Sequence, residues 1–452
     1  MCTSLTEIVE SVENCAELFR NNDLEWRPYV FQDEHTHWIE EQRAVRESCA
    51  VVDQSYHMEV LDIEGEEAIG LLEYLGVNSL EKIRKRDPPQ AINYLTCNPC
   101  GFVIGDVILF HLGPNSFRSV GTETVNNWIR YNARAHDFTV DVNVPYHPFD
   151  DHDPPEYRFQ IQGPHALNVM ESITDNDLPD ISFFEMDTVL IDGVETYVLG
   201  HGMAAMPGIE LFGPHDHHDS VLSDILSTGE RYDIRQMGSK AYKTGKISSG
   251  WFVFSVPAIY QHEALEGYRD WLDADSLEAQ LSIGGSFDSS DITDYYMTPM
   301  ERGQSNLVAF DHEFIGREAL KDKIDDQQRQ RVTLVWDSEE VIDIYASLFT
   351  DGATNQFITL PDVATQFAAT HYDTVLKDDD VIGFSKYPGY LYYEREMLSL
   401  ATVDVEYSDP GTEVSFIWGD DSAKRGVERN DRTVVDATVA KAPYVRAGRT
   451  KL

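Results

Sequence analysis

Lysine is scarce in this chain: 12 residues of 452, beside 23 arginines. Set against 79 acidic side chains, the 35 basic ones leave a formal net charge of −44. A field of that sign repels phosphate backbones and anionic headgroups, so nucleic acids and acidic membrane surfaces are excluded as partners. Long apolar runs are also missing. No stretch approaches the roughly 18 consecutive apolar residues of a membrane helix. The best run, Trp251 to Tyr260, contains Ser255 and Pro257 and reads as buried core. The N-terminus has no basic start, and Glu7, Glu10 and Glu13 interrupt it, so it does not read as a signal peptide. The expected compartment is the cytoplasm. Cysteines number only five, an odd and scattered set that excludes a disulfide framework. Cys97-Asn98-Pro99-Cys100 has redox or zinc spacing, but no second pair completes a metal site, and a turn is favoured. Phosphate-loop, Rossmann and Gly-x-Ser-x-Gly signals are absent.

What is present is a foldable protein. Hydrophobic residues at 42% and aromatics at 11% exclude a disordered acidic chain. The length exceeds what one core usually organises, which predicts two or three domains. Charge of −44 must be screened, and few lysines beside many Asp and Glu point to a salt-rich cell interior. Ile8, Val12, Cys15 and Leu18 fall at helical spacing and predict an amphipathic N-terminal helix. Strand and helix patterns then alternate through two blocks. After a short helix at 316–323 the pattern becomes β-rich. The expected fold class is α+β, with an α/β lobe over 1–150, a second over 151–325 and a β-rich domain over 326–452.

Four stretches can carry chemistry. Asp53-Gln54-Ser55-Tyr56-His57-Met58 crowds polar groups behind apolar Ala50-Val51-Val52, and a site and a structural turn are equally open. His201 to Glu210 is Gly-rich and ends on a carboxylate that can accept paired N–H bonds from a planar heterocycle; a surface Glu is the plainer reading. His215-Asp216-His217-His218 reads as a solvated loop, since adjacent ligands in a turn seldom converge on one ion. Gly238 to Tyr242 and Ser248 to Trp251 place a phenol and an indole among small residues, where packing explains them equally well.

Several of these segments, with Gly101-Phe102-Val103-Ile104-Gly105-Asp106, Gln162-Gly163-Pro164, Gly208-Ile209-Glu210 and Phe314 to Leu320, resemble the folate-binding glycine cleavage T-protein superfamily. Within it, Arg158 to Pro164, His201-Gly202-Met203-Ala204, Ile283 to Phe287, Ile344 to Phe349 and Leu398 to Thr402 are most similar to the tetrahydrofolate-dependent vanillate/syringate O-demethylases. The resemblance implies three domains around a central folate cavity. It implies tetrahydrofolate held by Glu210, Trp251 and Gln162. It implies Tyr242, His57 and Gln54 at the methoxy group, with Tyr242 as the catalytic tyrosine and Tyr29 as a second pocket tyrosine. A small-molecule methyl donor, such as a lignin-derived aromatic, is then the other partner. The chemistry requires no metal: a phenol of pKa near 10 suits a departing phenolate.

Two departures from the family pattern bear on substrate. T-proteins carry an acidic residue where this chain has Gly105, which weighs against glycine cleavage, although the demethylases also have Gly there. The demethylases place an Arg where Thr122 follows Gly121. Arg118, about 13 Å earlier on the same strand, offers partial compensation for a substrate carboxylate. The alternatives are a sulfonium demethylase, an aminomethyltransferase and a folate-binding assembly factor. The last is disfavoured because Lys246 is followed by Ile247-Ser248 rather than Gly-Cys.

Overall fold

The computed structural model describes residues 4–22, 32–203, 206–352, 354–361, 369–422, 424 and 430–444. Eleven strands build its first two-thirds: β1 (Cys49–Asp53), β2 (Glu59–Glu64), β3 (Gln90–Cys97), β4 (Val103–Gly113), β5 (Ser116–Gly121), β6 (Asp141–Tyr146), β7 (Glu156–Gln162), β8 (Met186–Ile191), β9 (Val194–Gly200), β10 (Gly208–Pro214) and β11 (Ile234–Gln236). They form a five-stranded sheet, β3-β4-β5-β2-β6, and a six-stranded sheet, β11-β1-β7-β10-β9-β8. The chain leaves the second sheet at β1 and enters the first at β2, so Gln54 to Met58 bridges the two. Val60, Phe110, Val120 and Tyr146 of one sheet pack with Leu199 and Phe212 of the other. Apart from the two-residue strands Ile283–Gly284, Thr354–Asn355, Thr370–His371 and Asn430–Asp431, the remaining strands, Arg329–Trp336, Asp373–Lys377, Asp380–Leu391, Glu396–Asp404, Glu413–Trp418 and Thr433–Lys441, close a barrel around Trp336, Val375, Phe416 and Trp418. The expected mixture of helices and sheets with a β-rich C-terminal part is therefore observed.

Two local details follow from side-chain chemistry. The single N-terminal helix expected from spacing is two helices, Leu5–Glu10 and Cys15–Asn21. Asn14 restarts the helix because its Oδ1 accepts from the N–H groups of Ala16 and Glu17, at 3.0 and 3.2 Å. The Cys97–Cys100 segment is a turn organised by Asn98, whose Oδ1 accepts from the N–H groups of Cys100 and Phe102 at 2.9 and 3.0 Å. No helix among the described residues is long and apolar enough to cross a membrane.

Candidate active site

Strand β7 alternates sharply. Tyr157, Phe159 and Ile161 enter an apolar cluster with Val169, Met170, Ile209 and Leu211, covered by helices Ala166–Ile173 and His218–Gly229. The pleat sends Arg158, Gln160 and Gln162 to the opposite face, and all three are buried. Glu210 on β10 stands directly across from Gln160. Arg158 Nη1 donates to Glu210 Oε1 at 2.5 Å, and His201 Nδ1 lies 3.2 Å from Glu210 Oε2. Burial alone would raise the Glu210 carboxyl, but the Arg158 charge and the His201 bond outweigh it and hold the pKa at about 2. The Arg158 guanidinium also sits 4.3 Å over the Phe212 ring and 4.9 Å over Phe110, which covers the pair from both sheets.

Beside this pair lie three of the expected residues. Tyr242 comes from the short helix Ser239–Lys243. Gly238 before it is required, since a Cβ there would lie 2.3 Å from the Asp33 carbonyl oxygen. Gln54 Nε2 donates to the Tyr242 hydroxyl at 3.0 Å and to Gln160 Oε1 at 3.3 Å. The same hydroxyl is 3.3 Å from His57 Nε2, and His57 Nδ1 is 3.0 Å from the Gln54 carbonyl oxygen. A carbonyl only accepts, so Nδ1 carries the hydrogen and Nε2 presents a lone pair. Burial pushes the His57 imidazole down to about 4, so it is neutral at pH 7. Asp53, which starts this stretch, is tied to His218 Nε2 at 2.8 Å, and Tyr56 OH lies 2.9 Å from His215 Nε2. The histidine-rich turn thus buttresses the segment.

The other expected residues divide. Gln162 Oε1 accepts from the Met203 N–H at 3.1 Å and so joins β7 to the Gly-rich loop. Trp251 Nε1 donates to Asp106 Oδ2 at 2.9 Å, and Asp106 is fixed in turn by Arg302 at 2.5 Å. Thr122 precedes helix Glu123–Ala135 without capping it through its side chain. Its neighbour Glu123 gathers with Glu59 and His147 in one cluster. Arg118, expected to compensate in part for a substrate carboxylate, is ion-paired to Asp62 at 2.6 Å and Glu156 at 2.5 Å. Tyr29 lies outside the described residues. A separate cleft of about 410 Å³, lined by Glu47, Ser48, His165 and Tyr232 among others, opens at the start of β1, the opposite end from Gln54. The sequence reading did not single out Gln160, the Arg158 charge or the Asp106–Arg302 pair. For the first two the signal was available, because three polar residues alternate with three apolar ones along one strand.

The family model for the GCVT N-terminal domain matches residues 12–268. A syringate O-demethylase from Sphingobium sp. strain SYK-6 is 33% identical over 100% of this chain and 98% of its own length. A sesamin methylene transferase from Sinomonas sp. is 25% identical over 85% of this chain and 83% of its own. Among solved structures, the glycine cleavage system aminomethyltransferase T from Bartonella henselae superposes with a TM-score of 0.60, covering 91% of this chain and 90% of its own at 14% identity, which bears on fold alone. A match across more than half the chain, joined to that whole-length relative, makes this protein a member of the family built on the GCVT N-terminal domain.

Proposed function

We propose that this protein is a tetrahydrofolate-dependent O-demethylase that transfers a methyl group from a methoxyaromatic donor to tetrahydrofolate, giving 5-methyltetrahydrofolate and the free phenol. The observation that carries the reading is the Gln54–Tyr242–His57 cluster beside the buried Glu210–Arg158 pair. The residues fit the cofactor. Gln54 Oε1 is a buried acceptor with no hydrogen-bond partner, and an N–H of a pterin ring is the donor it lacks. Glu210 stays ionised, and each carboxylate oxygen has a second lone pair for such donors. Glu210, Trp251 and Gln162 would hold the cofactor, which when bound supplies the ring nitrogen that takes the methyl group. Tyr242 lowers the barrier by giving its proton to the departing oxygen, an effect typically worth about a hundredfold to ten-thousandfold. His57 Nε2 keeps that proton directed along one line until the donor's oxygen competes for it.

Finer features belong to the same reading. The lobes 1–150 and 151–325 enclose the folate site, and 326–452 completes it. The protein works in a salt-rich cytoplasm on a lignin-derived aromatic, without nucleic-acid or membrane partners. With Thr122 in place of Arg and Arg118 already paired, the described residues offer a donor carboxylate little at that position. The test is incubation at high salt with tetrahydrofolate and a panel of methoxyphenols and methoxybenzoates, following 5-methyltetrahydrofolate. Formation with at least one donor is expected; folate binding without methyl transfer to it from any donor would sink the reading.

A further inference from the structure

Gln160 is fully buried at the centre of the six-stranded sheet, flanked by Val52 and Glu210. Its amide has two ends, and the structure determines which faces which way. Nε2 lies 3.3 Å from the backbone carbonyl oxygen of His201, a group that can only accept. That carbonyl is held close to β7 by a tight crossing in the Gly-rich loop. The His201 N–H donates to the Gly208 carbonyl at 3.1 Å, and a Cβ on Gly208 would meet the Gly202 Cα at 2.7 Å. With Nε2 committed, Gln160 must present Oε1 to Gln54. An acceptor facing it obliges Gln54 to present Nε2, at 3.3 Å, and the same Nε2 reaches the Tyr242 oxygen at 3.0 Å. Tyr242 therefore accepts from Gln54, and its own hydrogen must point elsewhere. At the far end the Gln54 carbonyl makes His57 Nε2 an acceptor, 3.3 Å from that hydroxyl. Two backbone carbonyls thus set the polarity of the whole chain of bonds.

We propose that Gln160 is a positioning residue for the transfer: through Gln54 it keeps the Tyr242 hydroxyl oriented as a proton donor, and through His201 it ties that orientation to the loop that brings in Glu210. This rests on the O-demethylase reading. Without Gln160 the Gln54 amide is free to turn over. Tyr242 then donates to Gln54 Oε1, and its proton faces a dead end. Nothing in this role requires Gln160 to touch the donor, so donor binding is left intact while the rate constant falls.

The test uses full-length protein with Gln160→Met, tetrahydrofolate and whichever of guaiacol or syringate the wild type turns over. Expected is a kcat lower by about tenfold to a hundredfold, a part of the general-acid contribution, with KM for the donor within about twofold of wild type. Gln54→Met and the double variant complete the cycle. If Gln160 acts through Gln54, the double variant is no slower than Gln54→Met alone. Losses that multiply, or a wild-type kcat in folded Gln160→Met, overturn the proposal. Should melting curves show Gln160→Met unfolded, Gln160→Asn keeps an amide one methylene short and is expected to show the same selective fall in kcat; full activity there overturns it as well. An inactive wild type sinks the O-demethylase reading and this inference together, whereas an active wild type with an active variant sinks this inference alone.

Discussion

Tyr242 lies 188 residues from Gln54 and 185 from His57, yet its hydroxyl is within 3.3 Å of both side chains. If that hydroxyl is the acid, Tyr242→Phe retains donor and folate binding and loses turnover, because an interaction made mainly in the transition state lowers kcat without raising KM. Binding measured by calorimetry beside steady-state rates decides this; a fully active Tyr242→Phe would pass the acid role to water. Thr122 tests the link from pocket charge to donor choice. Thr122→Arg is expected to raise kcat/KM for methoxybenzoates, since Arg pairs a carboxylate in bidentate fashion, and to do little for neutral methoxyphenols. A wild type that prefers vanillate, with no gain in the variant, would show that another cation already holds the carboxylate. His57 and Tyr242 were legible from resemblance to a family. Their mutual geometry was not, because 185 residues separate them.

At the scale of the element, β7 and β10 carry an ion pair through the middle of a sheet. Glu210 has a folded pKa of about 2 against an ordinary 4.5, so the folded state binds its proton more weakly than the unfolded chain does. Its contribution to stability is complete above pH 4.5 and is lost as pH falls toward 2. Glu210→Ala leaves the buried Arg158 guanidinium with Glu156, at 4.0 Å, as its counter-charge, so the loss at pH 7 is expected to stay below the about 3–5 kcal/mol of a fully unpaired buried charge. The variant is also expected to lose folate affinity by a factor equivalent to about 1.5–3 kcal/mol, the worth of a charged hydrogen bond. Denaturant melts at pH 7 and pH 4, with calorimetric folate titrations on the folded protein, check both; unchanged affinity would remove Glu210 from the folate site. The strand itself was readable, since Arg158 to Gln162 alternates. What alternation does not say is which side of a buried sheet faces a ligand, because here both faces are covered.

For the whole molecule, the dominant quantity is a charge of −44 on one chain. Exposed carboxylates at that density repel one another, and at molar salt the Debye length shrinks to about 3 Å. Thermal melts are expected to show Tm rising from low to multimolar salt; an equal or higher Tm at low salt would sink the salt-adapted reading. Few of these charges take part in the site. Glu210, Asp106 and Asp53 are paired inside the fold, and bulk salt screens such pairs much less than surface ones. Folate affinity is therefore expected to vary less with salt than Tm does.

The amino-acid order alone determined the class of fold and the family, because these depend on short-range periodicity and on motifs read in sequence. It also pointed to Tyr242, His57, Gln54, Glu210, Gln162 and Trp251 before any contact was known. It misjudged the first helix, where a single Asn14 side chain outweighed an apolar pattern across the break. Nor could it give Arg118 its two carboxylate partners, which lie 56 and 38 residues away. Only the tertiary structure decided the direction of the hydrogen bonds. That direction is set by the carbonyls of Gln54 and His201, and where a backbone carbonyl points is a property of the assembled sheets rather than of any residue type.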